Sequence, residues 1–250
     1  MTDQHVIVVE NLVAQFGNDL ILDGVSFYVS KGEILGILGG SGCGKTTLMR
    51  HMVGLNLPIS GRVLIENIEV SNNDNIDQRK AMRRIGILFQ SSALFGSMTL
   101  SENVALAILE YTDLPSHMVY HLARIKLCMV GLKGYENHLP SEISGGMKKR
   151  AALARALALN PAILFLDEPT AGLDPITAAG IDDLILYINR TTGTTMVIIT
   201  HELDSILTVT QRIIMLDKHA KGIIAEGNPV DLKKNCTNPT VRNFFNRNAR

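Results

Sequence analysis

Short apolar or alternating runs crowd the first third of the chain, at His5 to Glu10, Val25 to Ser30, Glu33 to Leu38 and Arg62 to Ile65. Gly, Asn and Asp turn signals separate them, so each run predicts a strand. From Leu100 to Leu159 the apolar positions spread over helix-length segments rich in Ala, Leu and Met, with breaks at Pro115, at Gly131 with Gly134, and at Pro140. This stretch predicts a helical insertion. After Pro161 compact apolar runs return, AILFL, MVIIT and RIIML, and between them Ile176 to Asn189 and Glu202 to Thr208 carry the pattern of helices. Strands without a polar face are buried on both sides, which predicts a parallel sheet flanked by helices, an α/β fold. No internal repeat, low-complexity tract or Pro-rich linker divides the sequence.

Composition narrows the class. The 250 residues are 46% hydrophobic and 19% charged, enough apolar material for a packed core and far from disordered or fibrous compositions. Lys plus Arg number 24 and Asp plus Glu number 24. A net charge of +0 offers no excess to attract a polyphosphate backbone, so nucleic acid is not the expected partner. No apolar run approaches the roughly 18 residues a spanning helix needs, and Asp3 stands where a signal peptide would be positive, so a soluble cytosolic chain is expected. Cys43, Cys128 and Cys236 are odd in number and far apart, which suggests neither a disulfide framework nor a zinc site.

Candidate chemistry starts at the run EILGILGG followed by SGCGKTTLMR, a buried strand, a Gly-rich turn and a helix start. Gly39, Gly44, Lys45 and Thr46 fill the G-x-x-x-x-G-K-[ST] pattern, with Gly40, Ser41, Gly42, Cys43 and Thr47 completing the loop. Small residues let backbone N–H groups converge on phosphates, the helix N-terminus adds positive potential, Lys45 reaches the outer phosphates and the Thr46 hydroxyl ligates Mg²⁺. Cys43 is either a small residue that fits the turn or a thiol activated by the amides and Lys45. Downstream, AILFLDEP places Asp167 and Glu168 at a strand end, where one carboxylate can hold Mg²⁺ through water and the other can polarise an attacking water. Alone, that pair reads as a solvated strand end; the phosphate loop upstream changes its meaning. His201 after MVIIT and Gln90 after IGILF occupy similar strand-end positions, His201 within reach of a γ-phosphate and Gln90 with an uncharged amide for Mg²⁺ or water.

The deciding stretch is ISGGMKKRAALARALAL, where Ser144, Gly145 and Gly146 open a long helix just before LFLDEP. With it the sequence resembles the ATP-binding cassette family over nearly its whole length. The resemblance implies a P-loop ABC ATPase fold with an N-terminal antiparallel β subdomain and an inserted helical subdomain, all in one domain over 1–250. Residues 1–90 and 161–234 would form the nucleotide-binding core, 91–160 the helical signature subdomain and 235–250 a tail. It also implies Phe16 as adenine platform, Gly39 to Thr46 as Walker A, Gln90 as Q-loop and Ser144 to Met147 as signature. Ile163 to Asp167 match Walker B, Glu168 the catalytic base, Ala171 to Asp174 the D-loop and His201 the switch histidine. Cofactors would be ATP and Mg²⁺, and the working unit a homodimer in which each signature closes over the partner copy's ATP.

Three departures from the family pattern stand out: Met147 in place of Gln, Ala171-Gly172 in place of Ser-Ala, and Gly96 in place of Pro. Together with QSSALFGSMTLSENVA and LDPIT they make the chain similar to ATPase subunits of Mla-type lipid transporters. That resemblance implies a transmembrane permease, MCE-domain and small accessory subunits as partners, on the cytoplasmic face of an inner membrane. A polar-solute importer or drug exporter is the alternative, followed by a non-transport cassette ATPase of DNA repair or translation, and by a P-loop kinase, which would leave Ser144 to Met147 and Glu168 unexplained. Finally, Val241, Phe244 and Phe245 form an apolar face behind Pro239, with Arg242, Arg247 and Arg250 left for solvent. So short a helix is unstable alone and must dock, on its own domain or on another subunit.

Overall fold

The structure is a computed structural model that describes residues 5–70 and 76–246. In chain order the elements begin with β1 (His5–Phe16), β2 (Asp19–Ser30), β3 (Ile34–Gly39), α1 (Lys45–Met52), β4 (Ser60–Ile65), β5 (Ile68–Glu69), α2 (Ile76–Arg83) and β6 (Ile85–Leu88). Then come α3 (Leu100–Tyr111), α4 (Ser116–Met129), a 3₁₀ turn (Pro140–Glu142), α5 (Gly145–Ala156), β7 (Ile163–Asp167) and α6 (Pro175–Thr192). The last third holds β8 (Thr195–Ile199), α7 (Leu203–Val209), β9 (Arg212–Asp217), β10 (Gly222–Gly227), α8 (Pro229–Asn235) and α9 (Pro239–Phe245). Two compact units result, one from residues 1–82 with 195–250, the other from 83–194.

In the first unit β1 and β2 alternate, with Ile7, Val9, Leu12 and Ala14 buried on one strand and Leu22, Val25, Phe27 and Val29 on the other. They pair antiparallel, and the strand order is β2-β1-β4-β5. This is the antiparallel N-terminal sheet the resemblance implies. β3 is buried at every position and lies parallel between β8 and β9, as its uninterrupted apolar run predicts. β10 adds antiparallel to β9. The tail helix α9 docks here: Val241 and Phe245 are buried with Leu38, Leu203, Ile206, Ile213 and Met215, and Phe244 packs partly against them. Arg247 and Arg250 lie outside the described residues.

The second unit is mainly helical. β6 and β7 pair parallel, and α3, α4 and α5 follow the breaks at Pro115, Gly131 and Pro140. A reciprocal cap starts α3, in which the Thr99 N–H donates to Glu102 Oε2 at 2.7 Å and the Glu102 N–H donates to Thr99 Oγ1 at 3.2 Å. Asn103, fully buried, accepts from the Phe95 N–H at 2.8 Å and donates to the carbonyls of Phe95, Met98 and Thr99. That fixes the loop containing Gly96, whose Cβ position faces open space, so no steric demand explains glycine there.

Candidate functional site

The phosphate loop belongs to the first unit. Gly39 leaves β3 with φ 146°, and a Cβ there would collide with Cys43 Sγ and the Leu216 carbonyl oxygen, so only glycine closes this turn. Gly44 then starts α1 in the left-handed region, without a side-chain cap and without an acidic residue in the first turn. The helix N-terminus keeps its positive potential for an anion. Lys45 folds back over the loop, its Nζ donating to the carbonyls of Gly39 at 2.8 Å and Gly40 at 3.0 Å and lying 3.9 Å from Cys43 Sγ. Ser41, Gly42 and Thr46 are exposed, and Thr47 is half-buried. A small-residue loop with one folded-back ammonium fits a chain of phosphates.

Cys43 is buried, and burial pushes its thiol up, an effect that the Lys45 charge only partly offsets. The activated-thiolate reading therefore gives way to that of a small residue fitting the turn. Phe16 ends β1 with 80% of its surface exposed. An aromatic ring so free of packing fits a stacking platform. His201 follows β8 on the surface, its Nε2 3.6 Å from Glu202 Oε1.

Gln90, Ser144 to Gly146, Asp167 and Glu168 belong to the second unit. β7 is buried throughout and ends at Asp167. Glu168 is already a turn residue, with φ 49°, so the turn rather than strand alternation sets its direction. Both carboxylates are buried, at 6% and 8% exposure. Ser144 caps α5, its Oγ accepting from the Met147 N–H at 3.3 Å. Ser144 and Gly145 are exposed, whereas Gly146 is buried against Thr177, whose methyl carbon would clash with any Cβ. In the D-loop, Asp174 accepts from the N–H groups of Ile176 at 3.1 Å and Thr177 at 3.0 Å and so caps α6.

The structure also brings in residues the sequence did not single out. Lys149 on α5 donates from Nζ to the carbonyls of Gln90 at 2.6 Å and Glu168 at 2.9 Å. Arg155 donates to the carbonyls of Ala93 at 2.6 Å and Ser92 at 2.9 Å, and those two residues hold φ of 48° and 64°. Signature helix and Q-loop segment are thus bonded through α5 cations. Among the described residues no group of three or more His, Cys, Asp or Glu is placed to hold a metal ion.

The family model for ABC transporter matches residues 22–171, which span the phosphate loop, the signature and the Glu168 strand end. The chain belongs to the ABC transporter family. As a cassette of that family it is an ATP-binding, ATP-hydrolysing transporter subunit. Among relatives, the intermembrane phospholipid transport ATP-binding protein MlaF of Haemophilus influenzae is 37% identical over 90% of this chain and 84% of its own length. The methionine import ATP-binding protein MetN of Brucella abortus is 40% identical over 92% of this chain and 61% of its own length. Among solved structures, the dimeric cassette MJ0796 bound to ADP and Pi matches with TM-score 0.79, 32% identity, and coverage of 89% of this cassette and 98% of that chain. CbiO1 of Clostridium perfringens, part of the ABC transporter complex cbiONQ, matches with TM-score 0.84, 29% identity, and coverage of 93% and 92%. No helix among the described residues is long and apolar enough to cross a membrane.

Proposed function

We propose that this cassette powers phospholipid movement between two membranes. The observation that carries the proposal is the likeness to MlaF over 84% of that protein's length, joined to the run around Gly96 and the Met147 signature. Residue roles follow from chemistry. Phe16 stacks on adenine, and the Gly39 to Thr47 loop cradles the phosphates with Lys45 on the outer ones. Thr46, Gln90 and Asp167 are the residues that would hold Mg²⁺, which would neutralise charge on the phosphates; Glu168 takes a proton from the attacking water and His201 contacts the γ-phosphate. Ser144, Gly145 and Gly146 form a second anion site, which two copies in a C₂ dimer would present to each other's nucleotide. Transmembrane permease, MCE-domain and small accessory subunits are the proposed partners, placing the cassette at the cytoplasmic face of an inner membrane.

The likeness to MetN favours one second reading, an importer of a polar solute such as methionine. Purification of the assembled transporter from membranes tests both. Under the lipid reading an MCE-type subunit and phospholipid co-purify, and phospholipid-loaded partner stimulates ATP hydrolysis by the transporter in proteoliposomes. Stimulation by methionine, with no MCE-type subunit and no bound lipid, overturns it.

A further inference from the structure

Lys149 is buried, at 6% exposure, in the middle of the signature helix. Burial lowers the ammonium's pKa, while the fields of Glu168 and Asp167 favour its charge. A lysine that merely packed would carry its charged end to water. Here Nζ stays inside and divides its donors between two backbone carbonyls, of Gln90 and of Glu168, that sequence keeps far apart. The second of these carbonyls belongs to a non-glycine residue with positive φ, a conformation that persists only where surrounding bonds over-determine it.

We propose that Lys149 is a positioning residue for ATP hydrolysis. Its two bonds hold the Glu168 peptide in the left-handed turn and tie it to the Gln90 backbone, so one ammonium sets both the carboxylate and the Q-loop. The inference rests on Glu168 acting as the base. Arg155, further along α5, supports the same arrangement by bonding the carbonyls of Ser92 and Ala93. Because the partners of Lys149 are carbonyls, the work is hydrogen bonding, and a neutral donor should perform part of it.

The test is steady-state ATP hydrolysis by the assembled transporter carrying Lys149→Met, Lys149→Gln, Glu168→Gln, or Lys149→Met with Glu168→Gln. Lys149→Met is expected to lower kcat about ten- to a hundredfold, as losses of supporting contacts do, with KM for ATP within about threefold of wild type. Lys149→Gln, which keeps a donor, is expected to recover most of the loss. On the Glu168→Gln background the Met substitution should change the residual rate less than about twofold, since the group it positions is already gone. Wild-type kcat in Lys149→Met, equal losses on both backgrounds, or a Gln variant no better than Met overturns the proposal. The two levels separate cleanly. A wild-type rate in Glu168→Gln refutes the base assignment, whereas an inactive Glu168→Gln beside an active Lys149→Met refutes the positioning role alone.

Discussion

Lys45 rests on the Gly39 and Gly40 carbonyls; in the proposed role it exchanges these two neutral acceptors for charged phosphate oxygens when ATP binds, a gain a neutral side chain cannot reproduce. Lys45→Ala is expected to weaken nucleotide binding about a hundredfold or more, checked by titration with a fluorescent ATP analogue. Glu168→Gln should bind MgATP like wild type and hydrolyse it at least about a hundredfold more slowly in the assembled transporter. Wild-type turnover would remove Glu168 as base. For Cys43 the sign follows from burial. A raised thiol pKa means less thiolate at any given pH, so alkylation at pH 8 should reach exposed Cys128 first and Cys43 last, speed up as pH rises, and slow with MgATP, as peptide mass spectrometry would show. At this scale the phosphate loop and the Asp167-Glu168 pair were legible because the chemistry forces each residue type. Lys149 and Arg155 were not: their partners are backbone carbonyls, which every residue has, so no pattern marks them.

Among the elements, α1 carries His51 in its last turn, nearly inaccessible, with Nδ1 3.0 Å from the Asn56 carbonyl oxygen. Burial lowers its pKa below the ordinary 6.5, and the Asn56 carbonyl restores only part. The unfolded chain then binds more protons than the folded one between the lowered value and 6.5, so stability falls as pH drops through that window and levels off below it. Melting temperature measured from pH 7.5 to 5 should decline less in His51→Gln than in wild type; parallel curves would remove His51 as the cause. Element legibility tracked burial contrast. β3, β7 and β8 are buried at every position and stood out as apolar runs. β10 has no fully buried position, so its sequence lacked a run to find. The start of α8 had a usable signal in Asn228 and Pro229, a side-chain cap followed by a proline, masked by the shortness of the helix.

On the scale of the whole molecule, the tail shows what sequence leaves open. Spacing placed Val241, Phe244 and Phe245 on one face; only the fold says that the face meets Leu38, Ile206 and Ile213 of its own unit. Phe245→Ala should therefore destabilise the isolated cassette by about 3 kcal/mol, and Phe244→Ala, half-buried, by about 1 kcal/mol, measured by denaturant unfolding. Loss of transporter assembly without loss of stability would instead assign the tail to another subunit. The same fold has a consequence for synthesis. β3, which delivers the phosphate loop, finds both its neighbours, β8 and β9, only after residues 83–194 have been made. On the ribosome that strand must wait, edges open, for seconds at ordinary elongation rates. The nucleotide-binding loop is translated well before the strands that scaffold it, so the nascent chain is most exposed to aggregation and chaperone capture over the interval in which the helical unit is being made.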